Sequence, residues 1–442
     1  MIQSNPDLAG QLHEMLTEFA TQEQMPGLSV GIVKDNRVWF VGEYGTADLS
    51  TCTPVERSTL FHQASVSKTF VASAVMQLVE RRQVDLDAPV SQYLPYFTID
   101  DERYYRITVR QLLNHNSGMP DEDDYGWGRP EYDEQSLERY VRGLSDRKLL
   151  SDPGEKFAYS NIGFEIVGDL IAKVSGMSFE QYMRTYILEP AGMRSSSFLK
   201  QEVETQLSSP HVLGAANGYG VSVSDIFPYN RAHGPSSTLY TNAEDMCQCM
   251  LMHLNRGVAE NGNEVLQPDS YDTMWKPHAA TGFALVNAQV GLSWFIGEYN
   301  GQRILSHTGW DTGFLSNLFL LPESNIGIVV MTNCEYLWMD NVSYPIIDWM
   351  LGSNIKHIKR SAAHAIAAVA ASAGVDEAVA EYQRMQMNEP DRYYTAEYQF
   401  IQIADAMKWR GHREDAVRIL KSASIILPDS DAIRDKLQEL QS

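Results

Sequence analysis

The stretch Ser65-Val66-Ser67-Lys68-Thr69-Phe70-Val71-Ala72-Ser73-Ala74-Val75-Met76-Gln77-Leu78-Val79 decides how this chain is read. Phe70, Val71, Ala74, Val75, Leu78 and Val79 recur at helical spacing and predict a helix from about Ser65 to Arg82. The apolar stripe is too wide for a surface helix, so it predicts burial between layers. Ser65 and Lys68 stand three residues apart and therefore share one helix face. A serine hydroxyl is a weak nucleophile that needs an adjacent base. An amine partly desolvated in a cleft can lose its charge and act as that base, and a helix N-terminus favours negative charge developing beside it. The same spacing recurs at Ser145…Lys148, Ser197…Lys200 and Ser353…Lys356, in polar stretches or beside Gly352. Only Ser65 leads a long apolar helix able to hold the pair rigidly inside the protein.

Working outward, Leu8, Leu12, Met15, Leu16 and Phe19 predict a helix within residues 7–24. Gly27 to Val33 and Val38 to Val41 predict two strands, joined by the turn Lys34-Asp35-Asn36-Arg37 into an antiparallel hairpin. Residues 85–260 are loop-rich and helical, and include the acidic, aromatic loop Asp121-Glu122-Asp123-Asp124-Tyr125-Gly126-Trp127-Gly128. Strand signals return at Leu292 to Ile296, Ile304-Leu305, Leu318 to Leu321 and Ile326 to Met331, the last two joined by the turn Pro322-Glu323-Ser324-Asn325. Strands at both ends with helices between predict an α+β core whose sheet is completed by the two ends of the chain.

Two more short motifs fall in the same frame. Tyr159-Ser160-Asn161 follows the turn Asp152-Pro153-Gly154-Glu155; a tyrosine can relay a proton and an Asn side chain can fix a substrate amide. Tyr240-Thr241-Asn242 repeats the spacing, so this motif is weak alone. His307-Thr308-Gly309 follows the strand-like Arg303-Ile304-Leu305-Ser306, and a glycine there lets a substrate approach the strand backbone. The ordered set Ser65…Lys68, Tyr159…Asn161, His307-Thr308-Gly309 resembles the serine β-lactamase and penicillin-binding protein superfamily, specifically its class C β-lactamase-like branch with D,D-carboxypeptidases, D-aminopeptidases and esterases. Thr59-Leu60-Phe61, Ile107 to Gly118 and Pro190-Ala191-Gly192-Met193 add to the resemblance, which spans about residues 8–352.

The resemblance implies an α/β (α+β) sandwich, an antiparallel sheet flanked by helices, with an all-helical subdomain. It implies Ser65 as acylated nucleophile, Lys68 as its base, and Tyr159 as the relay that protonates the leaving group and helps activate water. It implies Asn161 on the substrate's acyl-side amide, and His307, Thr308 and Gly309 on the strand that pairs with substrate. The backbone N–H groups of Ser65 and Trp310 would form the oxyanion hole, at about 3 kcal/mol per donor. No cofactor or metal is implied. The other histidines show no ligand spacing, and His115 reads as structural within its turn. One departure matters: lysine usually stands where His307 is in the true β-lactamases of this branch. Lysine offers a permanent charge to a substrate carboxylate; histidine at pH 7 is mostly neutral. The expected function is therefore a serine hydrolase working through an acyl-serine on a small ester or a D-amino-acid or peptidoglycan-like amide. The alternatives are β-lactamase activity proper, or a catalytically weak penicillin-binding or scaffolding protein that uses its tail.

The chain has 442 residues, 44% hydrophobic and 21% charged, which excludes a disordered or fibrous protein. Lys+Arg 35 against Asp+Glu 57 gives a net charge of −22, which disfavours nucleic acid and anionic membrane surfaces. Cys52, Cys247, Cys249 and Cys334 are too few for a disulfide scaffold and read as buried thiols. No apolar run reaches a membrane span. The first six residues show no basic cap or apolar core, so the expected location is cytoplasmic, or periplasmic or secreted if a signal has been removed. Residues 1–358 are read as the hydrolase domain, with the helical subdomain over roughly 85–260. Residues 359–442 are read as two or three helices of a tail. Glu377-Ala378-Val379 and Asp415-Ala416-Val417 lie 416 − 378 = 38 apart, as do Pro390-Asp391 and Pro428-Asp429, which resembles a tetratricopeptide pattern. Tyr394, Tyr398, Ile401, Ala404, Met407, Val417, Leu420 and Ile425 form an apolar stripe that should dock on the hydrolase domain, on a protein partner or on a second copy. The expected substrate is a small molecule or short peptide.

Overall fold

The computed structural model describes residues 6–122, 124–214, 219–283 and 285–441. A nine-stranded antiparallel sheet is built from both ends of the chain. The expected hairpin is β1 (Gly27–Lys34) and β2 (Arg37–Asp48), with β3 (Thr53–Pro54) beyond it. The later strands are β4 (Ala279–Ala280), β5 (Gln289–Val290), β6 (Phe295–Tyr299), β7 (Gln302–Asp311), β8 (Phe314–Leu321) and β9 (Ile326–Thr332). Their order is β3-β2-β1-β9-β8-β7-β6-β5-β4, so β9 closes on β1 with Val30 opposite Val330. The run at Leu292 turns into a strand only at Phe295, because Ser293 sits at φ 70°.

Both faces of the sheet are covered, so its central strands read as continuous apolar runs. Leu28, Val30 and Ile32 of β1 and Ile326, Ile328 and Val330 of β9 pack on one side with α1 (Pro6–Gln22). Val329 and Met331 face the other side, toward α2 (Ser67–Glu80), α3 (Asn161–Ser175) and α4 (Ala243–Leu254). Ser67 through Leu78 are buried, as the width of the apolar stripe predicts. The middle region also carries a short hairpin, His211–Leu213 with Val221–Val223. Cys247, Cys249 and Cys334 are buried thiols, whereas Cys52 is exposed. Among the described residues no helix is long and apolar enough to cross a membrane.

Beyond α5 (Asp340–Met350) five helices follow among the described residues: α6 (Ala362–Ala373), α7 (Val375–Asn388), α8 (Glu397–Trp409), α9 (Arg413–Ile426) and α10 (Asp431–Gln441). They are more numerous than the apolar stripe suggested, because Pro390 and Pro428 each close a helix pair rather than a single helix. Ala404, Met407 and Leu420 of the stripe are buried, whereas Tyr398 and Ile425 are exposed. Phe400, Ile403, Met407 and Ile366 belong to the same apolar cluster as Phe19, Leu28 and Ile328, so these helices share a core with the sheet and α1. Polar contacts add to it: Arg360 Nε donates to Glu23 at 2.9 Å, and Gln402 Nε2 donates to the Glu335 carbonyl at 2.7 Å. Each large apolar side chain buried there is worth about 1.5–3 kcal/mol. A chain ending at residue 358 is expected to aggregate or to melt well below the full-length protein in a thermal scan. An unchanged melting temperature and a monodisperse truncated chain would show that the helices contribute nothing to the core.

Candidate active site

Ser65 sits in a 3₁₀ turn, Ala64–Val66, that leads directly into α2. Ala64 before it is held at φ 45°, a left-handed conformation that costs an L-residue about 1–2 kcal/mol. The strained turn sets Ser65 at the helix entrance. Lys68 is fully buried and its Nζ donates to Ser65 Oγ at 2.9 Å and to the Ser236 carbonyl at 2.8 Å. Burial lowers the Lys68 ammonium to about 8; Glu165, Asp121 and Asp311 act in the opposite direction. Ser236 is in turn fixed by Glu165, which accepts from its N–H at 3.2 Å and its hydroxyl at 2.5 Å.

Tyr159 joins this pair. Lys68 Nζ lies 5.2 Å from the Tyr159 ring centroid. Burial pushes the Tyr159 phenol far up, opposed by its hydrogen bond with Ser65. The phenol is thus neutral at rest, and the lysine is the group with an accessible free-base form. His115, read from sequence as a turn residue, has a more specific place. Its ring stacks on Tyr159 at 4.2 Å and its Nδ1 accepts the Ser160 N–H at 3.1 Å, with its backbone at φ 55°. The signal was its place in the Asn114-His115-Asn116-Ser117-Gly118 turn, 44 residues upstream of Tyr159, which periodicity does not connect to it. The decoy Tyr240 lies elsewhere, in a short ladder with His62.

Asn161 opens α3, capped by Ser160. Its Nδ2 donates to Asp121 Oδ1 at 3.0 Å and to Tyr125 Oη at 2.5 Å, so the side chain offers a substrate its carbonyl oxygen rather than its amide N–H groups. His307 is buried, and its Nδ1 donates to the Thr308 carbonyl at 2.9 Å. Burial, with Lys68 beside it, holds the His307 imidazole down near about 3, so it is neutral. Thr308, half-buried, follows on the opposite face of the strand. The β6 ladder ends at Ser306, so β7 from His307 to Asp311 is paired only with β8. That open edge carries Trp310, whose N–H is the second oxyanion donor expected from sequence.

Gly309 needs a different explanation from the one its sequence suggests. A Cβ there would lie 2.1 Å from the Gln63 carbonyl oxygen and 2.4 Å from Ser316 Oγ. The close approach is internal: it clamps β7 against the backbone that presents Ser65, and no substrate fits in that space. Gly309→Ala must push that backbone away, at a cost of about 3 kcal/mol or more. Both a lower melting temperature and slower labelling of Ser65 by a fluorophosphonate are expected. Wild-type labelling in the variant would count against the clamp.

Residues that pattern reading missed line the mouth. Asp311 accepts from Trp127 Nε1 at 3.1 Å and from His62 Nε2 at 3.0 Å, and it also takes the Ser237 hydroxyl. Trp127 stacks on Tyr125 with centroids 5.2 Å apart. Asp311 directly follows the His307-Thr308-Gly309-Trp310 run, so its charge was the available signal.

A model of the Beta-lactamase family matches residues 12–345. The chain belongs to the Beta-lactamase family. Among similar proteins, Penicillin-binding protein 4 of Amycolatopsis lactamdurans is 26% identical over 326 residues, covering 72% of this chain and 84% of that one. Protein flp of Staphylococcus aureus (strain MW2) is 26% identical over 333 residues, covering 74% of this chain. The match spans 63% of flp, under two thirds of its length. The octameric penicillin-binding protein homologue from Pyrococcus abyssi superposes with a TM-score of 0.67 at 25% identity, over 78% of each chain. The penicillin binding protein from Bacillus halodurans, at 24% identity, shares the fold with a TM-score of 0.65, over 76% of this chain and 99% of its own. The Beta-lactamase family match ends before α6, so the last five helices lie outside it.

Proposed function

We propose that this Beta-lactamase family member is a serine hydrolase that acts through an acyl-serine on a small ester or a D-amino-acid or peptidoglycan-like amide. The observation that carries the reading is the 2.9 Å contact of Lys68 Nζ with Ser65 Oγ, with the lysine wholly buried. The neutral amine takes the Ser65 proton as Oγ attacks the carbonyl carbon. The N–H groups of Ser65 and Trp310 hold the oxyanion. Tyr159 passes the proton to the leaving group, and the same unit then activates water to free the serine. Labelling by a fluorophosphonate probe, with Ser65 as the modified residue, tests the chemistry. A panel of nitrophenyl esters, D-alanyl peptides and a chromogenic cephalosporin tests the substrate class. Absence of labelling would leave the scaffolding alternative.

The β-lactamase alternative is weaker on charge. Penicillins and cephalosporins carry a carboxylate, and His307 supplies no cation for it. Esters and amides without that carboxylate are expected to be turned over faster than the cephalosporin. The pH profile follows from Lys68. Below about 8 the ammonium form dominates and the base is lost, so kcat/KM should fall roughly tenfold per unit as pH drops under that value and level off above it. A profile flat from pH 6 to 9 would remove Lys68 as the base.

A further inference from the structure

The acyl-transfer steps leave unused a cleft of about 870 Å³ that opens beside Trp310. Its walls include Tyr125, Trp127, Trp310 and Trp409, and Asp225 and Asp311 face it with the Glu335–Arg410 pair. Trp310 is 37% and Trp409 64% exposed, and their rings stand 5.8 Å apart. The two indoles form an accessible aromatic wall of this cleft, next to the strand that carries His307 and Thr308.

The charge of the cleft is one-sided. Among the described residues Arg410 is its only lining cation, and it is bound to Glu335. Asp311 is held by three donors, from Trp127, His62 and Ser237. His62 Nδ1 is buried with no partner, and its Nε2 faces the Asp311 carboxylate. A carboxylate beside aromatic faces, with no unpaired cation among the described lining residues, matches the chemistry that holds an organic cation.

We propose that this cleft is a subsite for the ammonium group of a cationic substrate, with Asp311 as its counter-charge and Trp127, Trp310 and Trp409 as its faces. Trp409 makes the C-terminal helices part of substrate selection. Arg410 anchors that wall, because the Glu335 it pairs with also accepts the Gly313 N–H at 2.8 Å, in the turn after β7. The inference rests on the acyl-serine reading, which supplies the scissile bond next to the cleft.

The test compares the 4-nitrophenyl ester of 4-(trimethylammonio)butyrate with that of 5,5-dimethylhexanoate, its uncharged isostere. The cationic ester should have a kcat/KM at least tenfold higher, and Asp311→Asn and Trp409→Ala should each bring the ratio to within about threefold of one. A wild-type ratio of one or less overturns the subsite, as does a ratio that neither variant changes. Trp409 is exposed, so its variant keeps the test open if Asp311→Asn misfolds. If neither ester turns over and the fluorophosphonate leaves Ser65 unlabelled, the hydrolase reading fails. The subsite is then decided by tryptophan fluorescence with benzyltrimethylammonium chloride against sodium chloride at equal ionic strength. A saturable change lost in Trp409→Ala supports it, and no specific change overturns it.

Discussion

Replacing Ser65 with alanine is expected to end acylation and to cut turnover by about 10⁴-fold to 10⁶-fold, the scale on which a serine nucleophile acts. No neighbouring hydroxyl is placed to substitute. Ser67 is the nearest in sequence, but it is buried and its Oγ accepts the Leu239 N–H at 3.0 Å. Removing one hydroxyl from Ser65 leaves the Lys68 contact to the Ser236 carbonyl intact, so the fold and melting temperature should change little. The decisive measurement is turnover of the best ester in the panel together with mass-spectrometric detection of the acylated peptide. Residual turnover within tenfold of wild type would place the nucleophile elsewhere.

The second large effect concerns the proton relay. Lys68→Ala and Tyr159→Phe should each reduce kcat by several orders of magnitude, and the double variant should be scarcely worse than the poorer single one. The reason is geometric: Lys68 Nζ touches Ser65 Oγ and lies over the Tyr159 ring, so the three groups form one path for one proton. Losses that multiply as independent factors would separate the two residues into different steps. Lys68→Ala also removes a buried amine bonded to the Ser236 carbonyl, so a stability scan must accompany the kinetics. Tyr159→Phe keeps the stack on His115 and is the cleaner probe.

The local features of this protein were readable from its sequence because they obey short periods. The 3.6-residue repeat of Phe70, Val71, Ala74, Val75 and Leu78 determined α2, and the three-residue step placed Lys68 over Ser65. The apolar runs after residue 303 determined the late strands, and their hairpin turn made β8 and β9 neighbours. The order of the three motifs pointed to the family, since no single one of them was specific.

Tertiary structure decided whatever depends on residues far apart in the chain meeting. His62 and Asp311 are 249 residues apart, and only the packing of β7 against the nucleophile turn joins them. The stack of His115 on Tyr159, and the Trp409 wall beside Trp310, arise the same way. Gly309 shows the limit most plainly. A glycine in a strand announces that something comes close, but whether a substrate or the chain's own Gln63 carbonyl occupies the space is set by the fold. Periodicity carries information along one element; the identity of the atom facing it across the core comes from how the elements pack.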